Sequence, residues 1–442
     1  MHADLARIVG ADAVRPGTTG AYLADASAVM GLRGRADAVV LPADAEQVTA
    51  VVAWCYANDV AITPRGGGSG YAGGAVPLDG GVVLSLERLT RVRSFDPLLW
   101  RMEAEAGMTT ATVQRLAREN GLAFPPDPGA AEQSQLGGMI ATNAGGPHCF
   151  KHGVTRAWVT GLEVVLAPGE LVRLGGPTRK DVAGYDLVSL LSGSEGTLGV
   201  VTAAWLRLIP APAVALPVAG FYQSTREGCD ALERVLASGV VPAVAEYLDG
   251  ATLRAAAATF PGAVPDDAAF LLICEAEASV AERDALLEAL GDGAVEVEPA
   301  ALWRWRGGVS HAVAAQRGGK LSEDVAVPVD RLGEAIEAVL AIGARHGLDA
   351  CSWGHAGDGN LHATFLLDPG DGEQLARAQA AVEELFALAI ALGGTVSGEH
   401  GLGWLKRGQL SRQWSPAAVA AHDAVKAALD PKGLLNPGKK TP

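Results

Sequence analysis

The 442-residue chain is poor in cysteine: Cys55, Cys149, Cys229, Cys274 and Cys351 are odd in number, widely scattered and free of any C-x-x-C spacing. That rules against a disulfide framework and against an iron–sulfur cluster. Positive charge is also in deficit, with 35 Lys and Arg against 50 Asp and Glu, a net charge of −15, and no dense basic cluster, so a nucleic-acid partner is not expected. No run approaches the ~20 apolar residues of a membrane span. The N-terminal MHADLARIVGADAV has early acids and no apolar core of signal-peptide length. A cytoplasmic protein is therefore expected, with peripheral membrane contact left open. What the chain does have is 49% hydrophobic and 19% charged residues, too apolar for disorder and long enough for two or more cores.

The texture changes near Pro210. Before it, short β-branched runs such as ADAVVLP, GGVVLSLERL and GVVTAAWLRLIP alternate with helical stretches such as AEQVTAVVAWCYANDV, an α+β or mixed α/β pattern. The proline-rich IPAPAVALPVAG reads as a linker. Two blocks of helix and strand come after it, STREGCDALERVLASG with AAFLLICEAEAS and VDRLGEAIEAVLAIGARHG with LHATFLL, which suits an antiparallel sheet covered by helices. From about Gly398 the tail is again rich in glycine and proline.

Glycine supplies the first chemical motif. PRGGGSGYAGGAVP, Pro64 to Pro77, comes directly after the strand-like VAIT, and so many residues without a Cβ let backbone N–H groups crowd toward an anion. Gly68, Gly70 and Gly73 match G-x-G-x-x-G, but the motif leads through a proline turn into another strand, whereas a dinucleotide fingerprint must open a helix. There is no G-K-[ST] either. Two further small-residue segments, PPDPGAAEQSQLGGMIATNAGG (Pro125 to Gly146) and GYDLVSLLSGSEGTLGVVTAAWLRLIP, offer bare backbone beside Thr142, Asn143 and Glu195. Three such loops would wrap an extended ligand.

Farther on, WGHAGDGNLHATF places two histidines symmetrically about an Asp-Gly pair. A tight turn centred on Asp358-Gly359 would set His362 opposite His355, putting both imidazoles on one face of a hairpin.

Together these segments resemble the FAD-linked oxidases of the vanillyl-alcohol oxidase type, in the branch of D-lactate dehydrogenase, the glycolate oxidase flavin subunit and D-2-hydroxyglutarate dehydrogenase. The resemblance covers nearly the whole chain. It implies an FAD-binding domain of two α+β subdomains over residues 1–210, a cap domain with a helix-covered antiparallel sheet over 211–397, and a segment, 398–442, returning to the FAD domain. PRGGGSGYAGGAVP looks like the family's pyrophosphate loop, which implies cofactor contacts from Pro64, Arg65, Gly66, Gly67, Gly68, Ser69 and Gly70. The segments LGGMIATNAGG, KHGVTR and KDVAGYDLVSLLSGSEGTLGVV resemble its flavin-contacting stretches. They imply roles for Pro126, Asp127, Ser134, Gly137, Gly138, Thr142, Asn143, Gly145, Gly146, Gly153, Glu195 and Val201, and LLNPGK adds Asn436. The glycine loop holds no histidine, so dissociable FAD is expected, with His148 and His152 the residues that leave covalent attachment open.

WGHAGDGNLH and SGEHGLG are signatures of the same branch. The resemblance implies that His355, His362 and Glu399 bind a divalent metal, zinc ahead of manganese or iron, with His400 as the base. Two imidazoles and a carboxylate suit a catalytic site with positions left open. In LWRWRGGVSHAVAAQRGGKLSEDVAVP the similar family segment holds a substrate carboxylate, which carries over to Arg306, Ser310 and Lys320. Arg304 and Arg317 are rivals, and His311 is adjacent. The implied reaction is oxidation of a small-molecule D-2-hydroxy acid, with electrons passing to a protein, a quinone or oxygen; a homodimer is an open possibility. The alternatives are a same-fold flavoenzyme of alkyl transfer and an FAD-binding electron-transfer subunit of a larger oxidase.

Overall fold

A computed structural model describes all residues, Met1–Pro442. The chain divides into two compact units, one of Met1–Gly146, Gly153–Ala211 and Glu399–Pro442, the other of Pro147–His152 and Pro212–Gly398. No helix is long and apolar enough to cross a membrane.

The first unit contains two larger sheets. One orders its strands as Val14–Pro16, Ala38–Val40, Val82–Ser85 and Ile62–Arg65, the last three parallel. The helix Ala45–Ala57, capped by the Asp44 carboxylate accepting from Gln47 N at 2.8 Å, makes the crossover. Strands of a parallel sheet are covered on both faces, which is why Val39, Val40, Val82, Val83 and Leu84 form continuous apolar runs and are all fully buried. The second sheet is antiparallel, in the order Val92–Asp96, Arg101–Glu105, Val200–Arg207, Val159–Leu166 and Glu170–Gly175. The last stretch of chain completes this unit: Ile62 N donates to Leu434 O and Asn436 N to Ile62 O, at 2.8 and 2.7 Å.

The second unit is built on a seven-stranded sheet in the order Val295–Glu296, Leu216–Tyr222, Phe270–Ala276, Val244–Asp249, Ala350–His355, Asn360–Leu367 and Gly319–Ala326. All of its neighbouring pairs are antiparallel. The stretch expected to be a linker is mostly strand, since Leu216–Tyr222 pairs along its whole length with Phe270–Ala276. Pro217 is tolerated there because the pairing needs its carbonyl, which accepts from Val297 N, and not an amide hydrogen.

Residues alternate between the faces of a sheet, so register decides which side chains share a face. Leu248, Leu271, Ile273 and Trp353 pack with Leu253 of the helix Gly250–Ala256 and with Leu302, Trp305 and Val309 of the helix Pro299–Ala315. The pairs Glu246↔His355, Leu248↔Trp353, Trp353↔His362, Asp324↔His362 and Lys320↔Leu366 put Glu246, His355, His362, Asp324 and Lys320 on this same face. The other face is covered differently: a Cβ on Gly228 of the helix Thr225–Ala237 would meet the Phe270 ring.

The short segment Pro147–His152 packs in the second unit although it lies within the N-terminal 210 residues. His152 and Lys151 pair with Glu277, each at 3.0 Å, and His148 Nε2 lies 3.4 Å from Glu275. Burial pushes the Glu277 carboxyl up, but the two bases overcome it and hold it down to about 2.

Candidate functional site

The glycine loop leaves the strand Ile62–Arg65 and runs, without a helix, to the strand Val82–Ser85, as the proline turn requires. Its residues fall into two physical groups. Some are glycine because protein crowds them: a Cβ on Gly67 would lie 1.9 Å from Gln133 O and one on Gly68, at φ +66°, 2.1 Å from Arg65 Nη2, whereas one on Gly66 would make only ordinary contact with Gly138 at 3.4 Å. Others face open space: a Cβ on Gly70 meets nothing within 4 Å, and neither does one on Gly138 of the adjoining helix Leu136–Thr142. The loop thus packs against the start of the helix Leu136–Thr142 while leaving backbone uncovered on one side. Beside it, Gln135 Oε1 is buried with no hydrogen-bond partner. A crowded glycine wall with open backbone and an orphaned acceptor fits a ligand as extended as FAD.

Several residues assigned to the cofactor have their side chains committed to protein. The buried Arg65 guanidinium donates to Ala75 O at 3.3 Å and to Ala21 O at 2.9 Å, bracing the loop from within. Glu195, at φ +55°, accepts from Leu402 N at 3.0 Å and Gly403 N at 2.6 Å and pairs with Lys440 at 3.1 Å. Asn436 spends its side-chain amide on Gly74 O and Glu195 O, at 2.9 and 2.8 Å. Asn143, left-handed at φ +53°, ends the helix and accepts from Arg156 N at 2.8 Å. Thr142 Oγ1 donates to Gly138 O at 3.0 Å. What these residues can give a cofactor is a shaped backbone.

The remaining assigned positions are spread around the same framework. Pro64 lies in the strand entering the loop, and Ser69 is half-buried within it. Gly137 N donates to Ala106 O at 2.7 Å, and Ser134 O accepts from Thr110 N at 2.8 Å. Pro126 O accepts from Gln114 Nε2 at 2.9 Å. A Cβ on the buried Gly146, neighbour of the buried Gly145, would come within 2.4 Å of Asp127 O. Gly153 succeeds the short helix Cys149–His152 at φ +74°. Val201 is buried opposite Val164, beside an irregularity in the ladder.

In the second unit the hairpin register differs from the symmetric expectation. The connection is a turn of 3₁₀ helix over Ala356–Asp358 and then Gly359 at φ +66°, and His362 stands opposite Trp353, not His355. The slip is two residues, so the face is unchanged and the imidazoles still meet, centroids 5.4 Å apart at an interplanar angle of 84°. His355, His362 and Glu399 offer ligand atoms within 4.8 Å of one another. Asn360 Oδ1, on the His362 face, is buried with no hydrogen-bond partner, an acceptor that the shell of a cation would satisfy. The donor set and the orphaned oxygen fit a divalent metal.

The segment before Glu399 is pinned: Ser397 Oγ donates to Asp324 Oδ2 at 3.0 Å, and a Cβ on Gly398 would meet Asn360 Nδ2. His400 Nε2 lies 3.5 Å from Glu399 Oε1, and the His400 ring stands 5.0 Å from that of Tyr71.

Arg306 and Ser310 share a face of the helix Pro299–Ala315, four residues apart. Lys320 Nζ donates to Ser310 Oγ at 2.6 Å and lies 4.6 Å from the Trp353 ring centroid; burial pushes its pKa down to about 8. Arg306 Nε donates to Glu246 Oε2 at 2.8 Å, and the other oxygen of that carboxylate meets His355 Nδ1. Burial pushes the Glu246 carboxyl up, but Arg306 and His355 outweigh it and hold it below its ordinary value. Of the rivals, Arg304 and His311 are exposed, and Arg317 pairs with Asp349. Glu246 and Asp324 carry no local signal: each reads as an ordinary strand residue until the register sets it beside a histidine.

Residues 36–175 match the FAD binding domain family, and residues 212–440 match the FAD linked oxidases, C-terminal domain. The chain belongs to the FAD-linked oxidases. The FAD-linked oxidase relatives include the glycolate oxidase subunit GlcD of Bacillus subtilis (strain 168), 36% identical over 415 residues, 91% of this chain and 88% of the relative. Another is the D-2-hydroxyglutarate dehydrogenase of Xanthomonas citri pv. viticola, 36% identical over 431 residues, 91% of this chain and 88% of the relative. The fold is that of the 4-ethylphenol oxidase from Gulosibacter chungangensis, with a TM-score of 0.79 at 21% identity over 100% of this chain and 96% of that one. This FAD-linked oxidase is therefore an α+β protein of the vanillyl-alcohol oxidase type and an FAD-dependent enzyme.

Proposed function

We propose that the protein oxidises a D-2-hydroxy acid, of the lactate, glycolate and 2-hydroxyglutarate class, to the corresponding 2-oxo acid. The observation that carries this reading is the clustering on one sheet face of anion-binding donors, Arg306 and Lys320 with Ser310, beside the imidazoles of His355 and His362. The names of the relatives support the same substrate class.

Arg306 binds the carboxylate through its planar fork, and Lys320 adds a cation whose position Ser310 and Trp353 restrict. His355, His362 and Glu399 hold the metal, zinc ahead of manganese or iron, which when bound supplies Lewis acidity to the α-hydroxyl. His400 takes the hydroxyl proton onto its imidazole as general base. FAD, held by the glycine loop without covalent attachment, supplies when bound the acceptor for two electrons and the α-hydrogen. A protein, quinone or oxygen acceptor outside the chain completes the cycle.

The test is an anaerobic panel of D- and L-2-hydroxy acids mixed with the FAD-loaded protein, with and without chelator, monitored by flavin absorbance. Bleaching by D acids, suppressed by chelation while FAD stays bound, is the expected result. A panel in which no hydroxy acid bleaches the flavin would sink the reading.

A further inference from the structure

Glu246 belongs to no motif, yet it sits at the junction of the anion clamp and the histidine pair. It is fully buried on the strand Val244–Asp249, directly opposite His355 in the ladder. Its two oxygens are divided: Oε1 meets His355 Nδ1, and Oε2 takes Arg306 Nε at 2.8 Å together with Nη2. We propose that Glu246 is a positioning residue that fixes the metal-ligating form of His355 and the orientation of the Arg306 fork through a single carboxylate. The inference rests on the reading of His355 as a metal ligand and of Arg306 as the carboxylate clamp.

The chemistry of the atoms leads there. An ionised carboxylate has acceptors only, so the hydrogen in its contact with His355 must sit on Nδ1. In the neutral imidazole that leaves Nε2 as the ring nitrogen carrying a lone pair, the form a metal requires. On the other side, Nε and Nη2 of Arg306 are taken by Oε2, which fixes the plane of the guanidinium and directs its remaining donors. Fixing that plane removes freedom that substrate binding would otherwise have to remove.

An amide of the same shape cannot replace this. Glutamine has one acceptor oxygen, and His355 and Arg306 both present donors. If its oxygen serves Arg306, its NH₂ faces His355 Nδ1 and favours the opposite tautomer, with hydrogen on Nε2 and no lone pair for a metal. If its oxygen serves His355, NH₂ and guanidinium donors collide. A carboxylate needed only to neutralise a buried arginine would impose no such choice on the imidazole.

The experiment uses the full-length, FAD-loaded protein stripped of metal and titrated with Mn²⁺ alone, with bound ion measured by electron paramagnetic resonance. His355 is read in ¹⁵N-histidine-labelled protein, its signal assigned by its loss in His355→Ala. Glu246→Gln is expected to weaken Mn²⁺ binding by about 10–100-fold, the usual cost of losing an outer-shell partner. It should also shift His355 from the Nδ1–H form toward Nε2–H and raise the KM for D-lactate while FAD stays bound. Glu246→Asp keeps the charge but is one methylene shorter, and should fall between glutamine and wild type. Wild-type Mn²⁺ affinity in either variant overturns the inference, and Glu246→Asp decides it if Glu246→Gln does not fold. A His355→Ala protein that binds Mn²⁺ like wild type instead overturns the metal reading beneath it.

Discussion

Lys320 lies half-buried, with its ammonium 4.6 Å from the centre of the Trp353 ring and its pKa pushed down to about 8 by desolvation. On the proposed reading, a lysine so placed clamps the substrate carboxylate and switches off within the working range of many enzymes. In the free enzyme, kcat/KM for the hydroxy acid should fall as pH rises through about 8, because deprotonation removes the charge that holds the substrate. Lys320→Met should lower kcat/KM at neutral pH and abolish this alkaline limb. A variant that keeps the limb would assign it elsewhere.

The same residue makes a stability prediction of definite sign. Between about 8 and the ordinary lysine value of 10.5 the unfolded chain binds the extra proton, so this group makes stability rise with pH across that window. Below about 8 the folded protein carries the full cost of a partly desolvated ammonium. Thermal melts of the substrate-free protein should therefore show Lys320→Met gaining most on wild type at neutral pH, and the gain shrinking toward pH 10.

His400→Ala should slow flavin reduction at saturating hydroxy acid by about 10²–10⁴-fold, the usual worth of a positioned general base. The FAD content should be unchanged, since His400 meets the glycine loop at the Tyr71 side chain, ring centroids 5.0 Å apart, and the loop backbone keeps its shape. Stopped-flow reduction at wild-type speed would remove His400 from the chemistry.

The two kinds of glycine in the cofactor loop should separate cleanly. Gly67→Ala drives a Cβ into Gln133 O, and backbone must move, so both melting temperature and FAD content should drop. Gly70→Ala meets nothing within 4 Å, so the apoprotein should melt as wild type while FAD affinity falls. Equal FAD affinity for Gly70→Ala and wild type would mean that the open side of the loop is not where the cofactor lies.

Glu195→Ala removes the acceptor of two backbone amides and the partner of Lys440 in a buried setting. Charged hydrogen bonds of this kind contribute about 1.5–3 kcal/mol each, and a loss on the order of 3 kcal/mol is expected in denaturant unfolding. A change below about 0.5 kcal/mol, the scale of an ordinary surface substitution, would show that the segment 401–403 is held by other contacts.

The face shared by His355 and His362 is legible in the sequence because alternation survives an error of two residues. The turn itself is not, since Ala356–Asp358 coils where an Asp-Gly pair suggests a two-residue turn. The glycine loop is legible through its sequel, a proline turn into a strand. Glu195 and Asn436 stand out by resemblance, but their side chains knit distant backbone segments, which no local pattern encodes. Glu246 is invisible for a related reason. It stands 109 residues from the histidine it meets, in a strand whose spelling, VAEYLD, differs little from any other.

Residues 399–442 belong to the first unit and pair with Ile62 through Leu434 and Asn436. Synthesis runs from the N-terminus, so the ribosome delivers every residue of the seven-stranded sheet before it delivers the stretch that closes the flavin half. The nascent N-terminal unit must wait, with Ile62 unpaired on that side, until Leu434 and Asn436 have been made.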